Sequence, residues 1–293
     1  MLILNFHRIE PPTGLEITRI TPAHFRRLVR MIDRSGVTVA KPESDPLSAE
    51  IEVLLTFDDG FASVARNALP ELRRLGWGAV VFLIAASIGT TDDWDVRLLG
   101  RPRMMMDWDD IYEWSAAGIE FGSHTMTHAD LTALTDGALK AEMRDSKATL
   151  EDKLDRPVRF ISYPFGRHDE RVRHAASEAG YEAAFATGGE LWHQHDKWAI
   201  PRVGINGLTS LFEFQSMLRV AANSGGGEGQ TWRRRWHGRV FESLNAGSAA
   251  VGNWRRARKP RPRAQDQEVA DHVPASDTNS RNIAGTAGLR HRS

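Results

Sequence analysis

The chain has 293 residues, of which 41% are hydrophobic, and its formal net charge at pH 7 is zero. This length and composition predict a globular protein whose core is large enough for one large α/β domain or two smaller ones. The sequence contains no cysteine, which excludes disulfides, thiolate metal ligands and a cysteine nucleophile, and leaves His, Asp and Glu as ligands for any metal.

Strand-like apolar runs alternate with helical patterns along residues 1–221. The strand-like runs cover residues 2–6, 52–57, 79–85, 119–123, 158–163, 182–187 and 202–205. The clearest helical patterns cover residues 22–36, 61–76, 107–118, 135–154, 170–180 and 209–220. Strands that alternate with helices predict a mostly parallel sheet with its site at the carboxyl ends of the strands, and about seven strands favour a closed or nearly closed barrel over an open sheet.

The composition changes after residue 221. Residues 222–293 contain 13 Lys and Arg and 6 Asp and Glu, a net charge of +7, against −7 for residues 1–221. Few apolar residues, a Gly-rich linker and two basic runs with interleaved Trp predict a disordered basic tail. Such runs suit contact with an anionic membrane surface or with nucleic acid; we expect no nucleic-acid partner, and a solvated tail of no specific role is the alternative.

The amino-terminal end carries no targeting pattern. The short apolar start is followed at once by His7 and Arg8, without a basic region, a long apolar region or a cleavage site. No run approaches the length of a membrane span. We therefore expect a cytoplasmic protein as the sequence is written, and a secreted or membrane-associated one if the start is mis-assigned.

Two adjacent carboxylates end one strand, in the segment "VLLTFDDGF". Adjacent strand side chains point to opposite faces, so at a strand end Asp58 and Asp59 can diverge and serve two roles. A simple turn with Asp59 capping the next helix is the alternative for this segment taken alone. His124 and His128 lie just past a later strand, in "GSHTMTH". Two imidazoles and one carboxylate can hold a divalent metal with an open position for water, so we expect one Asp to bind it and the other to accept a proton.

The segments "TFDDG", "HTMTH" and "SYPFG" together resemble the first three motifs of the NodB-homology polysaccharide deacetylases, carbohydrate esterase family 4, over roughly residues 1–220. The resemblance implies a deformed (β/α) barrel, a metal held by Asp59, His124 and His128, and Asp58 as general base. The implied metal is Zn²⁺, with Co²⁺ or another transition metal as alternatives. The implied reaction removes N-acetyl groups from an N-acetylglucosamine polymer, oligomer or precursor.

The chain departs from the family pattern in two places. Ser162 stands where the third motif commonly has an Arg, and Arg167 and Arg202 are the nearest substitutes. The late Leu-x-His motif that normally supplies a general acid has no equivalent. However, the opening "LNFHRI" is similar to the start of a permuted branch that includes deacetylases of poly-N-acetylglucosamine. In that branch the acid lies near the amino terminus, which implies His7 as the acid here.

Other candidate positions have a structural alternative. We expect Arg202 to contact substrate, and Tyr163, Pro164 and Phe165 either to line the sugar groove or to end a strand and pack. If His7 is not the acid, the candidates are His168, His193 and His195. Trp192 and Trp198 suit stacking on a sugar or packing, and residues 92–108 suggest a loop over the site.

Two rival functions stay open from the sequence. The first is hydrolysis of another non-peptide C–N bond in a small amide. The second is a sugar-binding or scaffold protein of weak activity on the same fold, which the missing Arg and late His would favour. The presence of all four metal and base residues argues against the second rival.

Overall fold

The computed structural model describes residues 1–12, 18–92, 102–187 and 196–222. The predicted basic tail lies outside these residues except for its first position, and so do Trp192, His193 and His195. The boundary at residue 221 and the character of the tail therefore stay predictions. Within the described ranges, no helix has the length and apolarity needed to cross a membrane.

Seven parallel strands close into a barrel, which confirms the predicted fold class. Around the barrel the strands are β1 (Leu2–Phe6), β4 (Val53–Phe57), β5 (Val80–Leu83), β6 (Glu120–Ser123), β7 (Phe160–Ser162), β8 (Ala183–Thr187) and β9 (Ile200–Gly204). Strand β9 pairs with β1 and closes the ring. A short separate pair, β2 (Arg8–Ile9) and β3 (Arg19–Ile20), is not indicated by the sequence pattern.

Helices follow most of the barrel strands along the chain. They are α1 (Pro22–Ser35), α2 (Ala62–Asn67), α3 (Leu69–Leu75), α4 (Trp108–Ala116), α5 (Asp136–Leu154), α6 (Glu170–Glu178) and α7 (Leu211–Ala222). The single helix predicted over residues 61–76 is divided at Ala68. Pro70 lies in the first turn of α3 and has no N–H to continue the hydrogen bonding of α2, so the helix breaks there.

Side chains alternate between the two faces of each barrel strand. Leu2 and Leu4 pack in the larger core that contains the helix residues, whereas Ile3 belongs to a separate cluster inside the barrel. That inner cluster includes aromatic rings from opposite walls, since the Phe82 and Phe185 ring centroids are 5.1 Å apart. The lower barrel is therefore a packed apolar core rather than a channel.

Gly122 on β6 makes room for this aromatic packing. A Cβ atom at this position would lie 2.6 Å from the Phe82 ring and 2.9 Å from the Phe160 carbonyl oxygen. The Phe82 ring of β5 therefore packs directly against the backbone of β6 at Gly122. The same alternation brings the side chain of His124, two residues later, to the upper end of the interior.

Candidate metal centre

Asp58 directly follows β4, and its side chain points into the barrel, as the alternation of side chains along the strand requires. Its N–H donates to the Phe6 carbonyl at 2.9 Å, which extends the pairing of β1 and β4 by one residue. Asp59 then adopts a left-handed backbone with φ 72°, so its carboxylate leaves the strand direction. The two adjacent carboxylates therefore face different partners, and both are buried.

Asp59, His124 and His128 converge. Their ligand atoms all lie within 4.8 Å of one another. Asp59 Oδ1 is 3.5 Å from His124 Nε2 and 3.6 Å from His128 Nε2. A tetrahedral ion with bonds of ~2.0–2.2 Å holds its ligand atoms roughly 3.3–3.6 Å apart, so the two distances from Asp59 to the histidines suit one divalent ion between the three side chains.

The hydrogen bonding of His124 orients its ring for metal binding. Its Nδ1 lies 2.8 Å from the Ser162 carbonyl oxygen, which can only accept, so Nδ1 carries the proton and Nε2 presents a lone pair toward Asp59. Burial lowers the pKa of both His124 and His128. Neutral imidazoles beside a carboxylate form the donor set of a divalent transition metal.

Arg202 forms a bidentate ion pair with Asp58. Its two terminal nitrogens donate to the two carboxylate oxygens, each at 2.8 Å. The Arg202 side chain is 1% exposed, so it positions Asp58 instead of making the substrate contact expected from the sequence. Burial alone would raise the pKa of Asp58, but the charge and hydrogen bonds of Arg202, together with His124, hold it well below its ordinary value. Asp58 is therefore an ionised carboxylate.

Three further polar residues complete this arrangement, and none of them was predicted from the sequence to contact Asp58 or Arg202. Asn5 donates to Asp58 Oδ2 at 2.9 Å, and the hydroxyls of Thr56 and Ser162 accept from Arg202 at 3.2 and 2.7 Å. Each lies on the inward face of its strand, above the apolar cluster. The sequence could have indicated them, because each is a polar residue near the carboxyl end of a strand, at a position whose side chain points into the barrel.

His7 lies at the same end of the barrel as the metal-binding residues. It follows Phe6, which pairs with Phe57, so His7 stands beside Asp58 at the ends of two adjacent strands. His7 is close enough that its protonated form would lower the pKa of Asp58 and of His128. Burial lowers the pKa of His7 to about 4, against a weaker opposing effect of Asp58. His7 is thus neutral near pH 7, whereas the general acid that the sequence resemblance implies must carry a proton.

Of residues 163–165, which were predicted either to line the sugar groove or to pack, only one is partly exposed. Tyr163 is fully buried, its hydroxyl donates to the Trp198 carbonyl at 3.0 Å, and Pro164 is also buried. Only Phe165 is partly exposed, and its ring centroid is 4.8 Å from that of His128. The packing alternative therefore describes Tyr163 and Pro164, while Phe165 borders the site.

The other candidates have partners elsewhere. Arg167 donates to Asp130 at 2.9 Å, so it does not replace the missing motif Arg. His168 accepts from Arg173 at 3.2 Å, and Trp198 packs against the outer core. The described end of the 92–108 segment packs on the Asp58–Asp59 turn: the Met106 N–H donates to the Gly60 carbonyl at 2.8 Å.

Left-handed backbone conformations concentrate at this centre. Of the six non-glycine residues with positive φ in the described ranges, four carry or adjoin the metal-binding side chains: Asp59, Thr125, His128 and Phe165. Such conformations cost about 1 kcal/mol or more each and persist only where surrounding contacts enforce them. The placement of these side chains therefore lowers the stability of the folded chain.

Comparison with known proteins relates this chain to polysaccharide deacetylases. Residues 48–184 match the family described as polysaccharide deacetylase. The Bacillus subtilis protein YxkH, whose name places it among the polysaccharide deacetylases, is 28% identical over 212 residues, which are 70% of this chain and 71% of that protein. The poly-beta-1,6-N-acetyl-D-glucosamine N-deacetylase of Staphylococcus epidermidis is 23% identical over 175 residues, or 57% of each chain.

Solved structures share the fold. A Streptococcus pyogenes deacetylase, PplD, in complex with acetate, superposes with a TM-score of 0.64 at 19% identity, covering 74% of this chain and 97% of that one. IcaB from Ammonifex degensii superposes with a TM-score of 0.62 at 21% identity, covering 75% and 96%. His7 and Arg202 lie outside the residues that match the family, so their placement comes from the structure.

Replacing Arg202 should destabilise the fold, because it leaves the buried carboxylate of Asp58 without its charged partner. We expect Arg202→Met to lower the free energy of unfolding by about 3–5 kcal/mol, since Asp58 loses both of its charged hydrogen bonds. Addition of Asp58→Asn should restore part of that loss. Urea denaturation of both single variants and the double variant measures the coupling. Arg159→Met is the control, because Arg159 pairs with Glu182 at 2.8 Å on the surface; a loss at Arg202 no larger than at Arg159 would contradict the assignment.

Metal binding should require both histidines. We expect the metal-free chain to bind one equivalent of Zn²⁺ or Co²⁺, and His124→Ala or His128→Ala to abolish tight binding, because two remaining ligands do not hold a divalent ion firmly. Calorimetry and elemental analysis after dialysis measure affinity and stoichiometry. The control is His174→Ala, because His174 is exposed on α6 and pairs with Glu178 at 3.4 Å. Wild-type affinity in His128→Ala would rule out this centre.

Proposed function

We propose that the chain, whose residues 48–184 match the polysaccharide deacetylase family, is a metal-dependent hydrolase of N-acetylglucosamine-containing polysaccharides, oligosaccharides or their precursors. It removes the N-acetyl group and releases acetate. The proposed metal is Zn²⁺, with Co²⁺ as an alternative that suits the same two nitrogen ligands and one oxygen ligand.

One observation carries this proposal: two adjacent carboxylates are divided between two tasks. Asp59 faces the imidazoles of His124 and His128. The adjacent Asp58 is instead held ionised by Arg202, which donates to it at 2.8 Å. A metal-binding carboxylate beside a separate proton acceptor is what hydrolysis of an unreactive amide needs. The arrangement supports hydrolysis better than simple sugar binding.

The chemistry divides between the bound ion and the side chains. A divalent ion held by Asp59, His124 and His128 would polarise the acetamide carbonyl and make a water molecule acidic enough to attack near neutral pH. Asp58 takes the proton that this water loses. As the new C–O bond forms and the C–N bond breaks, the departing nitrogen must gain a proton, so one proton moves from water to the amine.

His7 is the side chain that we assign to the second proton transfer. Because its pKa is lowered to about 4, His7 begins the cycle neutral. A protonated Asp58 is a strong acid in this setting, since its pKa lies well below the ordinary value, and it can pass the proton on. His7 then acts as a relay that receives this proton and delivers it to the amine.

The negative charge that develops on the acetamide oxygen needs a hydrogen-bond donor near the bound ion. The Tyr163 N–H already donates to the Phe185 carbonyl at 3.0 Å within the sheet. Phe165 has left-handed backbone dihedral angles, φ 60° and ψ 8°, and its ring contacts His128. We therefore assign the Phe165 N–H, together with the bound ion, to stabilisation of the oxyanion.

The contacts of Arg202 argue against the rival of a weakly active scaffold. That rival rested on the missing motif Arg and the missing late His; Arg202 supplies a bidentate contact to Asp58 from β9, and we assign the role of the late His to His7. Hydrolysis of another C–N bond in a small amide uses the same centre and differs only in substrate. Substrate identity is therefore the question for experiment.

Acetate release is the direct test. We expect the wild-type chain, loaded with Zn²⁺ or Co²⁺, to release acetate from N-acetylglucosamine oligomers, and the chelated chain to release none. Asp58→Asn should keep metal binding and lower turnover by about 10²–10⁴-fold, because the proton acceptor is lost. His174→Ala serves as the unaffected control. Acetate release from small amides but from no N-acetylated sugar would contradict the proposed substrate class.

Replacement of His7 should separate proton relay from metal binding. We expect His7→Ala to retain the metal and the fold while turnover falls by about 10²–10⁴-fold. The wild-type kcat/KM should fall as the pH drops through about 4, where His7 gains a proton, instead of near its ordinary pKa of ~6.5. The pH profiles of wild type and variant measure this difference. Near-normal kcat in His7→Ala would move the search for the acid to His168, His193 and His195.

A further inference from the structure

Glu142, on helix α5, binds the loop that carries the second histidine. One carboxylate oxygen, Oε2, accepts the N–H groups of Met126 and Thr127, each at 2.9 Å. The other, Oε1, accepts the hydroxyl of Thr127 at 2.5 Å. A single ionised side chain therefore satisfies three donors of the segment between His124 and His128.

This segment needs such support because of its backbone. Thr125 and His128 both have positive φ, 69° and 59°, which non-glycine residues rarely adopt. Neutral groups supply other contacts: the Ser123 hydroxyl accepts the Thr125 N–H at 3.0 Å, and the Thr125 hydroxyl accepts the His128 N–H at 3.1 Å. Hydrogen bonds to an ionised acceptor are stronger than these neutral ones.

The two histidines depend on the loop to different degrees. His124 directly follows β6, and its ring is fixed by the Ser162 carbonyl at 2.8 Å. His128 is placed by the loop, and its Nε2 reaches Asp59 Oδ1 at 3.6 Å from a left-handed backbone. Loss of the Glu142 contacts would free two N–H groups to pair with water and let the loop relax, which moves His128 before His124.

We propose that Glu142 is a positioning residue that sets the metal affinity of the centre by holding His128 in place. The inference rests on the proposed metal centre and adds a determinant that lies on a helix outside the barrel. Groups that orient metal ligands typically contribute 10–100-fold to metal affinity.

Helix α5 also offers a matched control. Glu151 accepts the Val158 N–H at 2.9 Å and the Lys147 ammonium at 2.6 Å. It thus binds a loop backbone from the same helix, but the loop precedes β7 and carries no metal-binding residue. A purely structural role for Glu142 predicts similar effects at both positions.

The test compares Glu142→Ala, Glu142→Gln and Glu151→Ala as full chains. Zn²⁺ affinity is measured by competition with a chromophoric chelator, and stability of each metal-free chain by urea denaturation. We expect Glu142→Ala to weaken Zn²⁺ binding by about 10–100-fold, and Glu151→Ala to lose stability without a change in affinity. Glu142→Gln should have a Zn²⁺ affinity between those of wild type and Glu142→Ala, since its carbonyl oxygen can still accept both N–H groups but carries no charge.

The outcomes distinguish this role from the metal centre itself. Wild-type affinity in Glu142→Ala, or an equal loss in Glu151→Ala, overturns the role of Glu142 while the centre stands. Failure of the wild-type chain to bind Zn²⁺ overturns the centre and this role with it. If Glu142→Ala does not fold, Glu142→Asp takes its place, because the shorter carboxylate cannot reach both N–H groups; wild-type affinity in that variant overturns the role equally.

Discussion

The buried ion pair of Arg202 and Asp58 is the interaction on which the rest of the site depends. Two terminal nitrogens meet two carboxylate oxygens at 2.8 Å, where the side chains are 1% and 5% exposed. A buried charge without its partner costs several kcal/mol, so each residue requires the other. The pair joins β9 to the end of β4 across the barrel interior, with Asn5, Thr56 and Ser162 as its hydrogen-bonding neighbours.

The ion pair also explains how two adjacent carboxylates acquire different properties. Asp58 keeps the strand register, points into the barrel and is held ionised by Arg202. Asp59 breaks the register with a left-handed backbone and meets His124 and His128. One residue is therefore committed to accepting a proton and the other to binding the ion, and neither can exchange roles without loss of its partners.

Rigid surroundings hold the strained segments of the centre. The Asp58–Asp59 turn is covered by residues 102–106, through the Met106 N–H to the Gly60 carbonyl. The loop between the histidines is held by Glu142 and by the hydroxyls of Ser123 and Thr125. Preorganisation of this kind lets the ligands meet an ion without reordering, which is how a site on loops can still be well defined.

The sequence by itself determined the strand and helix alternation, the barrel class and the local motifs of Asp58, Asp59, His124 and His128. These follow from periodicity and from residues close together in the chain. Only the tertiary structure decided that Arg202 pairs with Asp58, because the two lie 144 residues apart and meet through barrel closure. It also decided the burial of Tyr163, the lowered pKa of His7 and the reach of Glu142. Burial and long-range contact depend on packing of the whole barrel, which no local pattern encodes.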